Sequence, residues 1–384
     1  MEEEDYGSLQ NHLENDPDLT GPERVIADNT RMLFESVPQE KLPEGEKDRI
    51  WNRVIAYAGI PKADTSKRLF MLAGWYRVAA VVTLILLAGV GYKLLKRPAG
   101  DAMKQAAASV SIESTETRLM LADSRTIHLK GENSDVVYEN DLIKIDSSGV
   151  EKNVSPAQKD GLNTLVVPYG KRSKITLSDG TKIWLNSGSR LVYPSEFADG
   201  KREVYLDGQA YFAVAHDIDR PFYVQTDRMD IKVLGTEFDV SSYGDDQKVS
   251  AVLAKGSIEL LTQKDSFWGG QRSKMVPGTR AVYNEISRRS QIDQVNVDEY
   301  ISWKDGYLIA RHQTLKEVFK KLSRYYKYEF IIQDEEVGME TFSGSLDLHE
   351  DIDQMIIGLA DATSLKYHKS ERRFIFEKND TSSE

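Results

Sequence analysis

The chain has no cysteine in its 384 residues. That absence excludes thiolate zinc sites, disulfide staples and cysteine nucleophiles, and it leaves the redox compartment undecided. Histidine is scarce too: His12, His128, His216, His312, His349 and His368 lie scattered, with no pair at metal-ligand spacing. The one segment that resembles a ligand set, His216 to Asp219, reads better as a polar turn ahead of Pro221. No phosphate loop, serine nucleophile elbow or acid–base constellation occurs, so neither catalysis nor a cofactor or metal is expected. Positive charge is in deficit. A net charge of −11 and a pI near 5.3 speak against direct nucleic-acid binding.

Long uncharged runs are also rare. The one present, Val78 to Tyr92, holds no charged residue, and Leu69 to Tyr76 extends it with only Arg77 between. A membrane span needs ~20 residues, with end residues that snorkel, so this stretch is short by itself. Arg77 would snorkel toward Trp75 and Tyr76, and Lys93, Lys96 and Arg97 close the far end. The expectation is one transmembrane helix at 77–96, with a buried core helix as the alternative. A signal peptide is disfavoured by the long polar segment ahead of it. Flanking charge does not orient the helix: Lys62, Lys67, Arg68 and Arg77 on one side match Lys93, Lys96, Arg97 and Lys104 on the other.

Residues 1–77 hold fifteen acidic and ten basic side chains, and two amphipathic helices are expected there. The first opens on a capping box at Thr20 to Glu23 and gathers Val25, Ile26, Met32 and Leu33. The second follows Pro43 and gathers Ile50, Trp51, Val54 and Ile55. So few apolar positions make a weak core, and the segment is expected to complete it on a partner. Those eight residues are therefore the candidate partner-binding set. A small self-sufficient helical domain is the alternative.

From about Ser109 the hydrophobic period changes to two, punctuated by Asp179-Gly180, Asp199-Gly200 and Asp207-Gly208. A repeat appears at an offset of 56. Leu119, Leu121, Asp123, Ile127, Leu129 and Val136 sit over Ile175, Leu177, Asp179, Ile183, Leu185 and Val192. Stacked hairpins of this kind suit a β-solenoid or a sandwich. After Gly306 to Ala310, a strand, Leu315, Val318, Phe319 and Leu322 form an apolar stripe behind a Thr314/Glu317 capping box. Two further strands, a helix over about 352–363 and a closing hairpin complete a β-α-β-β-α-β-β order.

Residues 167–194 (VPYGKRSKITLSDGTKIWLNSGSRLVYP) resemble the FecR family of transmembrane anti-sigma factors. The likeness continues through 202–214, 220–224, 233–240 (VLGTEFDV) and 252–260. It implies an inner-membrane protein, with residues 1–76 cytoplasmic and about 97–384 periplasmic. The C-terminal order is similar to the secretin and TonB short N-terminal fold, which such regulators append. The implied partners are an extracytoplasmic-function sigma factor in the cytoplasm and the signalling domain of an outer-membrane TonB-dependent transporter in the periplasm, with no direct nucleic-acid contact. Some FecR-like proteins are thought to self-cleave at a Gly-Thr bond, here Gly235-Thr236, by an N-to-O acyl shift onto the threonine hydroxyl. A plain Gly-Thr entering a strand is the simpler reading, and Gly235 and Thr236 stay as the candidate cleavage pair.

The whole expectation is a multi-domain chain. It has a small α-helical N-terminal segment (1–76), one transmembrane helix (77–96), and a juxtamembrane β repeat and linker (97–160). An all-β, solenoid- or sandwich-like middle domain (161–296) and an α+β C-terminal domain (300–378) follow. A membrane-anchored periplasmic binding or scaffold protein without sigma-factor control is the rival reading.

Overall fold

The computed structural model describes residues 99–139, 142–147, 150–154, 161–262 and 270–379, with Met32, Arg49, Arg53 and Thr83 besides. Among them the protein is mostly β-sheet with few helices, and no helix is long and apolar enough to cross a membrane. The expected architecture, a transmembrane helix behind a helical N-terminal segment, is corrected on that finding. The longest described helices have 12 residues, ~18 Å at 1.5 Å per residue, against a hydrocarbon core of ~30 Å. The first described helix, α1 (Ala99–Ala108), has 10 residues and lays Met103 and Ala107 on Val192 and Tyr205 of the β-structure. Apart from Thr83, the stretch 77–96 lies outside the described residues, as do the two N-terminal helices apart from Met32, Arg49 and Arg53.

The β-structure is a two-layer sandwich. One layer runs β2 (Thr126–Leu129), β1 (Thr117–Met120), β6 (Leu162–Val167), β9 (Ser189–Pro194), the first half of β10 (Arg202–Ala213), β11 (Phe222–Gln225), β12 (Met229–Val233), β15 (Ile258–Thr262) and β16 (Gln271–Met275). The other runs β5 (Val150–Val154), β4 (Leu142–Ser147), β3 (Asn133–Glu139), β7 (Arg172–Thr176), β8 (Lys182–Leu185), the second half of β10, β13 (Glu237–Ser242), β14 (Lys248–Lys255), β17 (Thr279–Asn284) and β18 (Arg289–Gln294). One contiguous apolar core joins the layers, with Leu119, Ile145, Leu165, Phe212, Phe222 and Phe238 among its buried side chains. Phe212 stacks on Phe238 at 5.0 Å between ring centres.

The strand β10 belongs to both layers. Tyr205 to Asp207 pair with β9, whereas Gly208 to Ala213 pair with β13. The changeover is at Gly208, whose φ is +118°, and a Cβ there would lie 2.4 Å from the Ser189 hydroxyl oxygen. Only glycine allows both the conformation and the approach.

The sequence repeat is a structural one. Leu119 faces Ile127 across the β1–β2 hairpin, and Ile175 faces Ile183 across β7–β8. In each turn an aspartate accepts a backbone N–H two residues on, Asp123 from Arg125 and Asp179 from Thr181. The two hairpins lie in opposite layers.

A short helix α2 (Asp298–Ile301) and a 3-10 turn (Ser302–Asp305) lead into the C-terminal part. There β19 (Tyr307–Thr314) precedes α3 (Leu315–Tyr326), β20 (Glu329–Ile332), α4 (Glu335–Met339), β21 (Thr341–Asp347), α5 (Ile352–Thr363), β22 (Leu365–Ser370) and β23 (Arg373–Lys378). Strands β19 and β21 pair with each other, and β20, β23 and β22 form a second sheet in that order. The Thr314 hydroxyl caps α3 by accepting the Glu317 N–H. Leu315, Val318, Phe319 and Leu322 are buried, and Phe319 stacks on Phe330 and Phe376.

Candidate functional site

Of the eight candidate partner-binding residues, Val25, Ile26, Leu33, Ile50, Trp51, Val54 and Ile55 lie outside the described residues. Met32 is helical and 71% exposed.

Gly235 and Thr236 sit in the bend between β12 and β13. A Cβ at Gly235 would fall 2.5 Å from His216 Nδ1 and 2.8 Å from its Cα, so the tight approach of the 216–217 backbone explains the glycine. Thr236 is buried, and its hydroxyl donates to the Ser257 carbonyl at 3.0 Å. Beside this bend the guanidinium of Arg202, fully buried, donates to Asp179 Oδ2 at 2.7 Å, Ala215 O at 2.9 Å and Arg220 O at 2.7 Å. Asp179 also accepts from the Thr181 hydroxyl, which in turn accepts the Ala215 N–H. The hub pins the hairpin turn to the 215–220 segment. Its chemistry is that of a satisfied structural ion pair.

A second polar assembly joins the sandwich to the C-terminal part. Arg324 of α3 reaches Asp245 Oδ1 at 2.6 Å and Asp246 at 2.9 and 3.0 Å, and lies over the Tyr243 ring at 3.7 Å. Lys320 joins the same carboxylates. Burial works against the Asp246 carboxylate, but the Arg324 and Lys320 hydrogen bonds outweigh it and hold its pKa below 3.8. Deeper in the seam, buried Asp239 of β13 accepts from Trp303 Nε1 at 2.9 Å and from Gln209 Nε2 at 3.1 and 3.3 Å. Burial pushes the Asp239 carboxyl up to about 7, against the lowering effect of those donors and of Lys321. The seam itself was not legible in the sequence: Gln209 and Asp239 lie within the FecR-like motifs, but Asp239 and its partner Trp303 are 64 positions apart.

A groove of about 810 Å3 opens along β20, floored by Phe319, Phe330 and Ile332 and flanked by Lys316, Lys327 and Tyr169. Strand β20 pairs on one side only, with β23. The Glu329 and Gln333 N–H groups donate to the carbonyls of Arg372, just ahead of β23, and of Phe376 within it, so by the alternation of a parallel ladder Phe330 and Ile332 turn their backbone groups to the open edge. An open edge beside an apolar floor can accept an added strand.

Two family models match the chain, the FecR protein over residues 163–259 and the FecR C-terminal domain over residues 307–376. Two crystal structures of a candidate anti-sigma factor from Parabacteroides distasonis ATCC 8503 are similar. The one at 1.65 Å has 25% identity and a TM-score of 0.51, covering 56% of this chain and 99% of that one. The one at 2.50 Å has 26% identity and a TM-score of 0.52, covering 57% and 100%. No curated protein matches the chain.

Proposed function

We propose that this chain, which matches the FecR protein and the FecR C-terminal domain over residues 163–259 and 307–376, is an anti-sigma factor of that family, a regulator that works by binding and without catalysis. The observation that supports this most is the pair of matched domains in order, the FecR model on the sandwich and the FecR C-terminal model on the β19–β23 part. The similar Parabacteroides structures carry the same functional description. In this reading the sigma factor is of the extracytoplasmic-function class and is held by residues 1–76 through Val25, Ile26, Met32, Leu33, Ile50, Trp51, Val54 and Ile55. The acidic balance of that segment would steer it to a basic partner surface. Residues from about 97 onward lie in the periplasm and meet the signalling domain of an outer-membrane TonB-dependent transporter, for which the open edge of β20 offers strand pairing.

The test is affinity capture of the tagged full chain from its native cells. A stoichiometric sigma factor, lost in the Trp51→Asp, Val54→Asp double variant, is the expected outcome. Capture that yields partners of the periplasmic part alone would replace the reading with that of a binding or scaffold protein.

A further inference from the structure

Between the sandwich and the 3-10 turn lies a smaller cleft of about 210 Å3, distinct from the β20 groove. Its walls carry three cationic side chains, Arg172, Lys174 and Lys304, against one carboxylate, Asp305, together with the rings of Trp184, Trp303 and Tyr325. Two of the cations are already matched: Lys174 with Asp135 at 3.3 Å and Lys304 with Asp305 at 2.6 Å. Arg172 has no carboxylate partner among the described residues. Its guanidinium lies 3.9 Å from the centre of the Tyr325 ring, and its Nε donates to the neutral Asn133 Oδ1 at 3.1 Å. Its Nη1 is buried and makes no hydrogen bond to any described residue.

Arg172 is half-buried, lines the cleft and has no carboxylate partner among the described residues, and a planar carboxylate is the acceptor its guanidinium fork matches best. The excess of positive charge in a partly desolvated cleft favours an anion further. The aromatic walls add contact area for a flat ring or sugar face. Roughly one water-sized sphere occupies 10–15 Å3 by this measure, so the cleft admits a ligand of on the order of ten non-hydrogen atoms.

We infer that this cleft is a binding site for a small carboxylate carrying a ring, with the carboxylate on Arg172 and the ring against Trp184 and Tyr325. Arg172 comes from β7 of the sandwich, whereas Lys304 and Tyr325 come from the turn and from α3. An occupied cleft therefore ties the two parts together, whatever the partner of the N-terminal segment.

Isothermal titration of the purified full chain tests the site, with benzoate and glucuronate as probes and benzamide as the neutral isostere. A ligand of this size at ~0.3 kcal/mol per atom or better binds with Kd near 10 mM or tighter. The expected result is saturable binding of an acid and none of the amide. Benzoate in preference to glucuronate marks an aromatic acid as the ligand class, and the reverse marks a sugar acid. Arg172→Gln should weaken binding by about tenfold or more. Lys304→Gln, on the rim, should weaken it a few-fold and probes the same cleft where Arg172→Gln fails to fold. Failure of both acids to saturate, equal binding of benzamide, or affinity unchanged in the two variants overturns the assignment.

Discussion

At the residue scale the repeat offers a controlled comparison. Gly180, with φ of +82°, occupies the turn position that Ser124, with φ of 69°, fills in the first copy. An L-residue in this region costs about 1 kcal/mol, partly offset by the extra chain entropy a glycine loses on folding. Ser124→Gly should therefore stabilise by roughly 0.5 kcal/mol, seen as a higher denaturation midpoint with unchanged slope. The Arg202–Asp179 pair works in the opposite sense. Both side chains are almost wholly buried, so Asp179→Ala leaves a guanidinium uncompensated and should cost about 3–5 kcal/mol. Thr236→Val removes the donor to the Ser257 carbonyl and should cost about 1–2 kcal/mol. The same variant addresses self-cleavage, because two fragments that persist without the hydroxyl would place the break elsewhere.

At the element scale the seam makes stability depend on pH. Asp239 titrates near 7 in the folded protein and near 3.8 when unfolded, so between those values the native state holds a proton that the unfolded chain has released. Its contribution is fullest below about pH 4 and is lost as pH rises through about 7. Around it stand Gln209 and Trp303 as donors and Lys321, whose own pKa burial lowers, with Glu317, Arg280 and Glu299 acting on that lysine in turn. Asp239→Asn should flatten this slope and stabilise the protein above pH 7 by a few kcal/mol at most, measured as urea midpoints at pH 5 and pH 8. The elements themselves were readable wherever their determinants are local. The Asp-turn hairpins and the α3 stripe announce themselves within a dozen residues. Which layer a hairpin joins is set by distant strands, so the choice between solenoid and sandwich waited for the pairings of β6, β9 and β10.

At the scale of the whole molecule, the transmembrane architecture read from the apolar stretch does not survive among the described residues, where the helices are short and packed on sheets. The reading rested on an uncharged core of marginal length. The likeness to the FecR family was legible because the matching motifs follow one another along the strands of one sandwich. The absence of cysteine makes location testable with a single introduced thiol. Val276, 59% exposed, as Val276→Cys should react with a membrane-impermeant maleimide in intact spheroplasts. Labelling only after lysis would place the sandwich in the cytoplasm.

The strand that changes layers also has a mechanical meaning. Near its start, Tyr205 supports α1 and its hydroxyl donates to Asp227, whose carboxylate holds Lys104. Just past the changeover at Gly208, Gln209 reaches the Asp239–Trp303 seam. The five residues Tyr205 to Gln209 of this strand, ~13 Å at ~3.3 Å per residue, thus link the helix packed on the sandwich to the seam with the C-terminal part. Tension between those two points would load β10 along its own axis. Its flanking ladders would resist in shear, many bonds at once, and the sandwich would behave as a stiff strut while the seam at its end gave way first.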